Sequence, residues 1–216
     1  MTINMFNDKI KITEGLIVAV GGFQSGKSTL LKQYSDNGFE PVSFADPLRE
    51  LAWILQGYKP KDYEKYKRCV IGLDHLPEFI SKTLIRIFPL LLTGRKFLQY
   101  LGDGMRKIFG DDFWIKRFLV KALEILKTKK KARSDDCRYP NELDKCHELI
   151  NEFGGMIIFA NYNSGGQNPK DPHISELMAQ IFLDMGLKHG DIIDLPHIEE
   201  MKNRYAVEII KRKSPK

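Results

Sequence analysis

The sequence predicts a single α/β domain built on a mainly parallel sheet, and three observations lead there. Leu16-Ile17-Val18-Ala19-Val20 is a continuous apolar run, the pattern of a strand buried on both faces. A glycine-rich turn follows at once, and after it residues 28–34 can form a helix. Farther along, short apolar runs alternate with longer amphipathic ones, which implies parallel strands joined by helices, with ligands at the carboxyl ends of the strands. At 216 residues and 43% hydrophobic content, the chain is long enough for one well-cored domain with insertions and short for two.

The elements follow in order. Asn37-Gly38 is a turn that delivers a second strand over 39–44. A helix begins near Pro47, where the missing N–H is not needed, with Asp46 as its cap or near-cap. Residues 58–68 mix lysine, acid and tyrosine without an apolar period and read as an exposed connection, and 76–92 reads as a helix interrupted at Pro89. Residues 95–109 look helical. Asp111 or Asp112 then caps a further helix in which Ile115, Phe118, Leu119, Ala122 and Leu126 recur on one buried face. Residues 132–137 are too polar to read as a strand from pattern, although a parallel sheet needs one there. Met156-Ile157-Ile158-Phe159-Ala160 is a short strand entered through Gly154-Gly155, and 161–171 is loop. A helix over 174–185 ends at Gly186, residues 191–195 make a last strand, and Ile198, Met201, Tyr205 and Ile209 mark a closing amphipathic helix.

No window approaches a membrane span, and residues 1–9 lack a basic segment followed by an apolar one, so we expect a cytoplasmic protein. Cys69, Cys137 and Cys146 are odd in number and match no zinc spacing, which favours reduced thiols without chemistry. The net charge of +6 fits an anionic substrate or a nucleic acid. Much of it is local, in Lys127, Lys129, Lys130, Lys131 and Arg133 and in Lys211, Arg212, Lys213 and Lys216. We read these clusters as a solvated loop and a frayed tail rather than a nucleic-acid surface.

Gly21-Gly22-Phe23-Gln24-Ser25-Gly26-Lys27-Ser28-Thr29 fits the G-x-x-x-x-G-K-[ST] phosphate loop, between a strand and a helix as that loop requires. Backbone N–H groups and the positive end of a helix suit a polyphosphate. Gly21, Gly22, Gln24, Ser25 and Gly26 would form the cradle, and Lys27 would reach the β- and γ-phosphates. Ser28 would give its hydroxyl to a magnesium ion, with Thr29 as the neighbouring hydroxyl if the register is read one residue late.

Phosphoryl transfer also needs an acceptor site and cations for the moving group. Asp46 and Arg49 lie three apart at the end of the second strand; Asp46 would orient the acceptor or a magnesium-bound water, and Arg49 would grip the acceptor's phosphate. Arg95 and Gln99 share a helix face at i and i+4, with Arg106 farther along, and would serve a phosphate and a base edge. In Asp135-Asp136-Cys137-Arg138 an acid at a strand end would hold the water shell of magnesium, and Arg138 would reach the transferring group. Asp136 is favoured for the acid, with Asp135 as the alternative.

These ordered motifs, with Phe44-Ala45-Asp46-Pro47-Leu48, Leu98-Gln99-Tyr100-Leu101-Gly102, Phe109-Gly110-Asp111-Asp112-Phe113-Trp114, Arg138-Tyr139-Pro140-Asn141-Glu142 and His173-Ile174-Ser175-Glu176, give the chain its resemblance to a family. It resembles the bacteriophage-type deoxynucleoside monophosphate kinases of the P-loop NMP kinase group, over residues 21–176. The resemblance implies a three-layer P-loop NTPase fold with a helical acceptor-binding insertion over 47–110 and a short lid over 161–173. It implies transfer of the ATP γ-phosphate to a deoxynucleoside 5′-monophosphate, with Mg²⁺, by direct in-line attack. A phage-encoded protein would do this in the host cytoplasm. The strand before Asp136 lacks the aliphatic run usual in the family, and the lid segment has no arginine, so its task would fall to Lys170, the segment's one cation, or to Arg138 or Arg106. His173 and Glu176 are either functional or part of a helix entry.

Two other readings stay open: a different P-loop small-molecule kinase, similar to dephospho-CoA kinase, and a nucleic-acid-linked ATPase. No Asn-Lys-x-Asp guanine motif is present. The motifs do not set base choice or oligomeric state, and a homodimer is compatible with them.

Overall fold

The computed structural model describes residues 12–22, 24–35, 37–56, 65–66, 93–162 and 174–213. The chain divides into two compact units, Met1–Ser43 with Phe118–Lys216, and Phe44–Arg117. The fold is α/β, with a four-stranded, all-parallel sheet in the first unit.

Strand β1 (Gly15–Val20) is buried along its whole length, as its apolar run requires. Helix α1 (Lys27–Ser35) follows the glycine turn, and strand β2 (Glu40–Pro41) comes next. Later in the chain lie strand β3 (Lys131–Ser134), helix α5 (Pro140–Phe153), strand β4 (Gly155–Phe159), helix α6 (Ile174–Asp184) and helix α7 (Leu195–Lys213). The sheet order is β2-β3-β1-β4, so the chain crosses over β3 on its way to β2 and over β1 on its way to β4.

Helices cover both faces. Ile17 and Ala19 of β1 pack with Met156 and Ile158 of β4 against Leu31 of α1. Phe159 alternates to the opposite face and meets Phe182 of α6, ring centroids 6.0 Å apart. Helix α5 packs on β1 and β4, and α6 on α7. At the entrance to β4, Gly155 has a φ of 124°, and a methyl group added there would stand 2.0 Å from the Leu16 carbonyl oxygen. Only glycine allows β1 and β4 to approach so closely at that point.

Two strand expectations change in this unit, and a third, which topology alone required, is met. The second strand is confined to Glu40–Pro41 instead of 39–44. Pro41 has no N–H for a ladder, which suits an edge position, and pairing ends with the Val42 N–H donating to the Arg133 carbonyl at 2.9 Å. The polar segment 132–137 does contribute a strand, β3, between β2 and β1. Its alternation explains its composition: Ala132 and Ser134 are buried, whereas Arg133 and Lys131 donate to the carbonyls of Phe39 (3.2 Å) and Asn37 (3.0 Å). With Lys129 paired to Glu40 at 2.9 Å, part of the cationic cluster thus fastens the edge of the sheet.

The other change concerns 191–195, which makes a single antiparallel bridge, Ile158 with Ile192, and no strand. Its acids serve turns instead. Asp191 accepts from the Lys188 N–H at 2.6 Å, and Asp194 accepts from the His197 N–H at 3.1 Å at the start of α7. That helix runs through Lys213, so Lys211, Arg212 and Lys213 belong to it rather than to a tail.

The second unit contains helix α2 (Asp46–Gln56), helix α3 (Gly94–Phe109) and the start of helix α4 (Phe113–Thr128). Thr93 caps α3, accepting from the Lys96 N–H, and Gly110 ends it. Ala52, Tyr66, Phe97 and Leu98 form the unit's core with Leu48, Leu55 and Leu101 around them. The Trp114 indole donates to the Gly102 carbonyl at 3.1 Å and ties α4 to α3. In the first unit, α4 buries Phe118, Ala122 and Leu126, part of the face its periodicity predicts. Within the expected exposed connection over 58–68, Lys65 and Tyr66 are instead helical and Tyr66 is buried in the core of the second unit; the readings over 58–64, 67–68 and 76–92, and that of Cys69, lie outside the described residues. Among the described residues, no helix is long and apolar enough to cross a membrane.

Candidate functional site

Parallel pairing of β1 with β3, Val18 opposite Ser134, brings two strand ends side by side. The glycine loop leaves one of them and Asp135 to Arg138 leave the other. In the loop, Gln24 and Gly26 take left-handed backbone conformations, φ 57° and 84°. A methyl group on Gly26 would stand 2.9 Å from the Tyr162 Cβ, so glycine there permits both the turn and a close neighbour. Helix α1 starts directly after it, the Leu30 N–H donating to the Gly26 carbonyl at 2.8 Å.

Lys27 lies back over this loop. Its ammonium donates to the carbonyls of Gly21 (2.8 Å) and Gly22 (2.5 Å) and to the Ser25 hydroxyl (3.3 Å), and the residue is only 9% exposed. Burial lowers its pKa from 10.5 to about 8; nearby Arg138 adds to this, while Glu176, Asp135 and Asp136 oppose it. Lys27 is therefore a partly desolvated cation held by weak neutral acceptors. An anion would hold it better.

The Ser28 hydroxyl donates to the carboxylate of Asp135. Asp136, buried at 5% exposure, accepts from the hydroxyls of Ser43 and of Ser134, the latter at 3.1 Å. Asp135 and Asp136 thus have different surroundings: the first meets the loop serine, the second is anchored in the sheet. Arg138 pairs with Glu176 of α6 at 2.8 Å, and its backbone N–H donates to buried Glu142 at 2.8 Å. Glu142 also accepts from the Tyr139 N–H at 3.3 Å, closing the first turn of α5, where Pro140 fits without an N–H. The arginine is consequently fixed at both its backbone and its head. Cys137 and Cys146 are buried free thiols, and burial together with a hydrogen bond to Cys146 raises the pKa of Cys137.

The structure therefore gathers Gly21, Gly22, Ser25, Gly26, Lys27, Ser28, Asp135, Asp136 and Arg138 within one unit. Gln24 and Thr29 occupy the exposed side of the same loop and helix start. The second unit carries Asp46, Arg49, Arg95, Gln99 and Arg106. Arg49 donates to Asp46 at 2.7 Å across the first turn of α2. On α3, Arg95, Gln99, Gly102 and Arg106 follow one another at helical spacing along one stripe. A methyl group on Gly102 would lie 3.3 Å from Leu48, so the first turn of α2 packs beside the middle of that stripe. Lys170 and His173 lie outside the described residues.

Sequence reasoning did not find Ser43 and Ser134, which hold Asp136, nor Tyr162 and His189 beside the loop. Ser134 had a readable signal, since strand alternation buries a polar side chain directly before Asp135-Asp136. Among the described residues, no three His, Cys, Asp or Glu side chains gather as a metal cage. No protein-family model matches the chain, and no curated protein matches it significantly.

Proposed function

We propose that this chain is a kinase of the P-loop NTPase architecture that transfers the γ-phosphate of ATP to a deoxynucleoside 5′-monophosphate. The observation that carries the reading is the buried Lys27 ammonium, folded over a glycine loop with Ser28, Asp135, Asp136 and Arg138 around it. A sheet ordered β2-β3-β1-β4, with that loop after β1, supports the architecture.

In this reading Lys27 exchanges the carbonyls of Gly21 and Gly22 for phosphate oxygens, and a charge-assisted bond replaces neutral ones. Arg138, oriented by Glu176 and Glu142, supplies positive charge beside the transferring group. The residues present fit a magnesium ion held mostly by phosphate and water. They offer one hydroxyl, Ser28, and one partly exposed carboxylate, Asp135, with Asp136 anchored behind them, rather than a cage of protein ligands. A magnesium ion bound there would supply positive charge toward the phosphate groups, with Ser28 and Asp135 as the residues that would hold it or its water. Asp46 and Arg49, with the Arg95, Gln99 and Arg106 stripe, provide a carboxylate, an amide and guanidinium groups in the second unit for the acceptor.

The test is a panel of acceptors incubated with ATP and Mg²⁺, read as ADP release and as new diphosphate. Turnover with one or more deoxynucleoside monophosphates supports the proposal. Protein that binds ATP yet phosphorylates none of them overturns it. Activity on dephospho-CoA alone, or hydrolysis stimulated by DNA and suppressed by salt, would assign one of the other two readings.

A further inference from the structure

We infer that Tyr162 and His189 form the platform on which the base of the donor nucleotide stacks. The inference rests on the reading of the glycine loop as a triphosphate cradle. Tyr162 is fastened to that loop twice. Its N–H donates to the Ser25 carbonyl at 2.9 Å, and its Cβ lies where a side chain on Gly26 would have to go. The residue is nevertheless 69% exposed, unusual for an aromatic whose backbone is so firmly held.

The ring meets only part of a neighbour. His189 stands edge to face with it, centroids 5.5 Å apart at 69°, an arrangement that steadies the tyrosine without stacking on it. His189 is itself fixed, because its Nδ1 accepts from the Asn161 N–H at 3.0 Å. That bond places the proton of the neutral imidazole on Nε2, as a donor for a polar base edge. The turn bearing His189 is in turn pinned to the end of β4, with the Gly190 N–H donating to the Phe159 carbonyl at 2.8 Å and the Phe159 N–H to the Asp191 carbonyl at 2.8 Å.

The result is an aromatic pair beside Gly26, Tyr162 exposed and His189 half-buried, next to the residue proposed to grip the phosphates. Aromatic faces of this kind take nucleobases by stacking, with little discrimination by hydrogen bonding. The chemical class assigned is thus a nucleoside triphosphate, its base stacked on the tyrosine ring.

Calorimetric titration with Mg-ATP and with Mg-tripolyphosphate, which lacks base and sugar, separates the platform from the cradle. The wild-type protein, Lys27→Ala, Tyr162→Ala and Tyr162→Phe are compared, with Tyr162→Leu replacing the alanine variant if that fails to fold. Tyr162→Ala should reduce the preference for ATP over tripolyphosphate by about tenfold or more, and Tyr162→Phe should retain most of it. Equal weakening toward both ligands, or no change toward either, overturns the platform while leaving the cradle intact. Binding of tripolyphosphate that survives Lys27→Ala, or no binding of either ligand by the wild type, overturns the cradle and the platform with it.

Discussion

Replacing Lys27 by methionine should change how stability varies with pH, whatever it does to stability at a single pH. The Lys27 side chain is 9% exposed, and its pKa falls from 10.5 to about 8, first through burial and then through Arg138. In the unfolded chain it titrates as an ordinary lysine. Between these two values the unfolded state keeps a proton that the native state has released, so native stability rises with pH across that window. The depression is complete below about pH 8 and is relieved as the pH approaches 10.5. At about 1.4 kcal/mol per unit, the whole span amounts to roughly 3 kcal/mol.

At neutral pH the substitution has two opposed effects. It removes the cost of a buried charge, and it strips a donor from the carbonyls of Gly21 and Gly22. Leaving a buried acceptor unsatisfied costs about 1–3 kcal/mol, so the two effects nearly cancel. The pH trend escapes this cancellation because neither carbonyl titrates. Urea unfolding of wild type and Lys27→Met at intervals from pH 7 to 10.5 gives the difference curve, from which other titrating groups drop out. Wild type should gain on the variant by about 2–3 kcal/mol over that range. Saturating tripolyphosphate should flatten the curve, since an anion beside the ammonium restores its pKa. Parallel curves without ligand would refute the claim that Lys27 is held as a desolvated cation.

Further predictions concern packing and the second unit. Gln56 is 3% exposed, and neither of its amide atoms has a hydrogen-bond partner among the described residues, so Gln56→Met should raise stability by about 1–2 kcal/mol in thermal unfolding. A lowered Tm would reveal a role for the amide. Gly155→Ala should cost at least about 2 kcal/mol, because it combines a φ of 124° with backbone 2.0 Å away, and unchanged denaturation would contradict the tight β1–β4 junction. Arg95→Ala and Gln99→Ala should each raise the KM for the acceptor more than they lower kcat; if neither moves KM, the α3 stripe is no acceptor wall.

What the sequence revealed and what it hid divide along a physical line. Strand β1, the glycine loop and α1 were readable because apolar run, motif and helix lie consecutively, and α3 and α4 because helical periodicity is itself a local signal. Strand β3 was not readable from pattern, since Lys131 and Arg133 are there to hold carbonyls some ninety residues earlier, a function invisible in a local window. The strand expected over 191–195 failed for the opposite reason: Ile192 and Ile193 imitate a strand, while Asp191 and Asp194 spend their side chains on turns.

The same division runs through the candidate site. Lys27 and Ser28 open the helix after the glycine loop, and Asp136 and Arg138 follow the end of β3, where motif spacing locates them. The groups that fix them come from elsewhere in the chain: Ser43 to Asp136, Glu176 to Arg138, Tyr162 to the loop. These partners show that both cations are already engaged before any ligand arrives, Lys27 by its own loop and Arg138 by Glu176. On the proposed reading, binding of a polyphosphate would be an exchange of partners, its affinity the difference between two sets of contacts. Lys27 gains most from the exchange, because its present acceptors are neutral, whereas Arg138 already faces a carboxylate. Glu176 therefore keeps the guanidinium oriented without requiring it to be released, which leaves Lys27 as the group whose contacts must change.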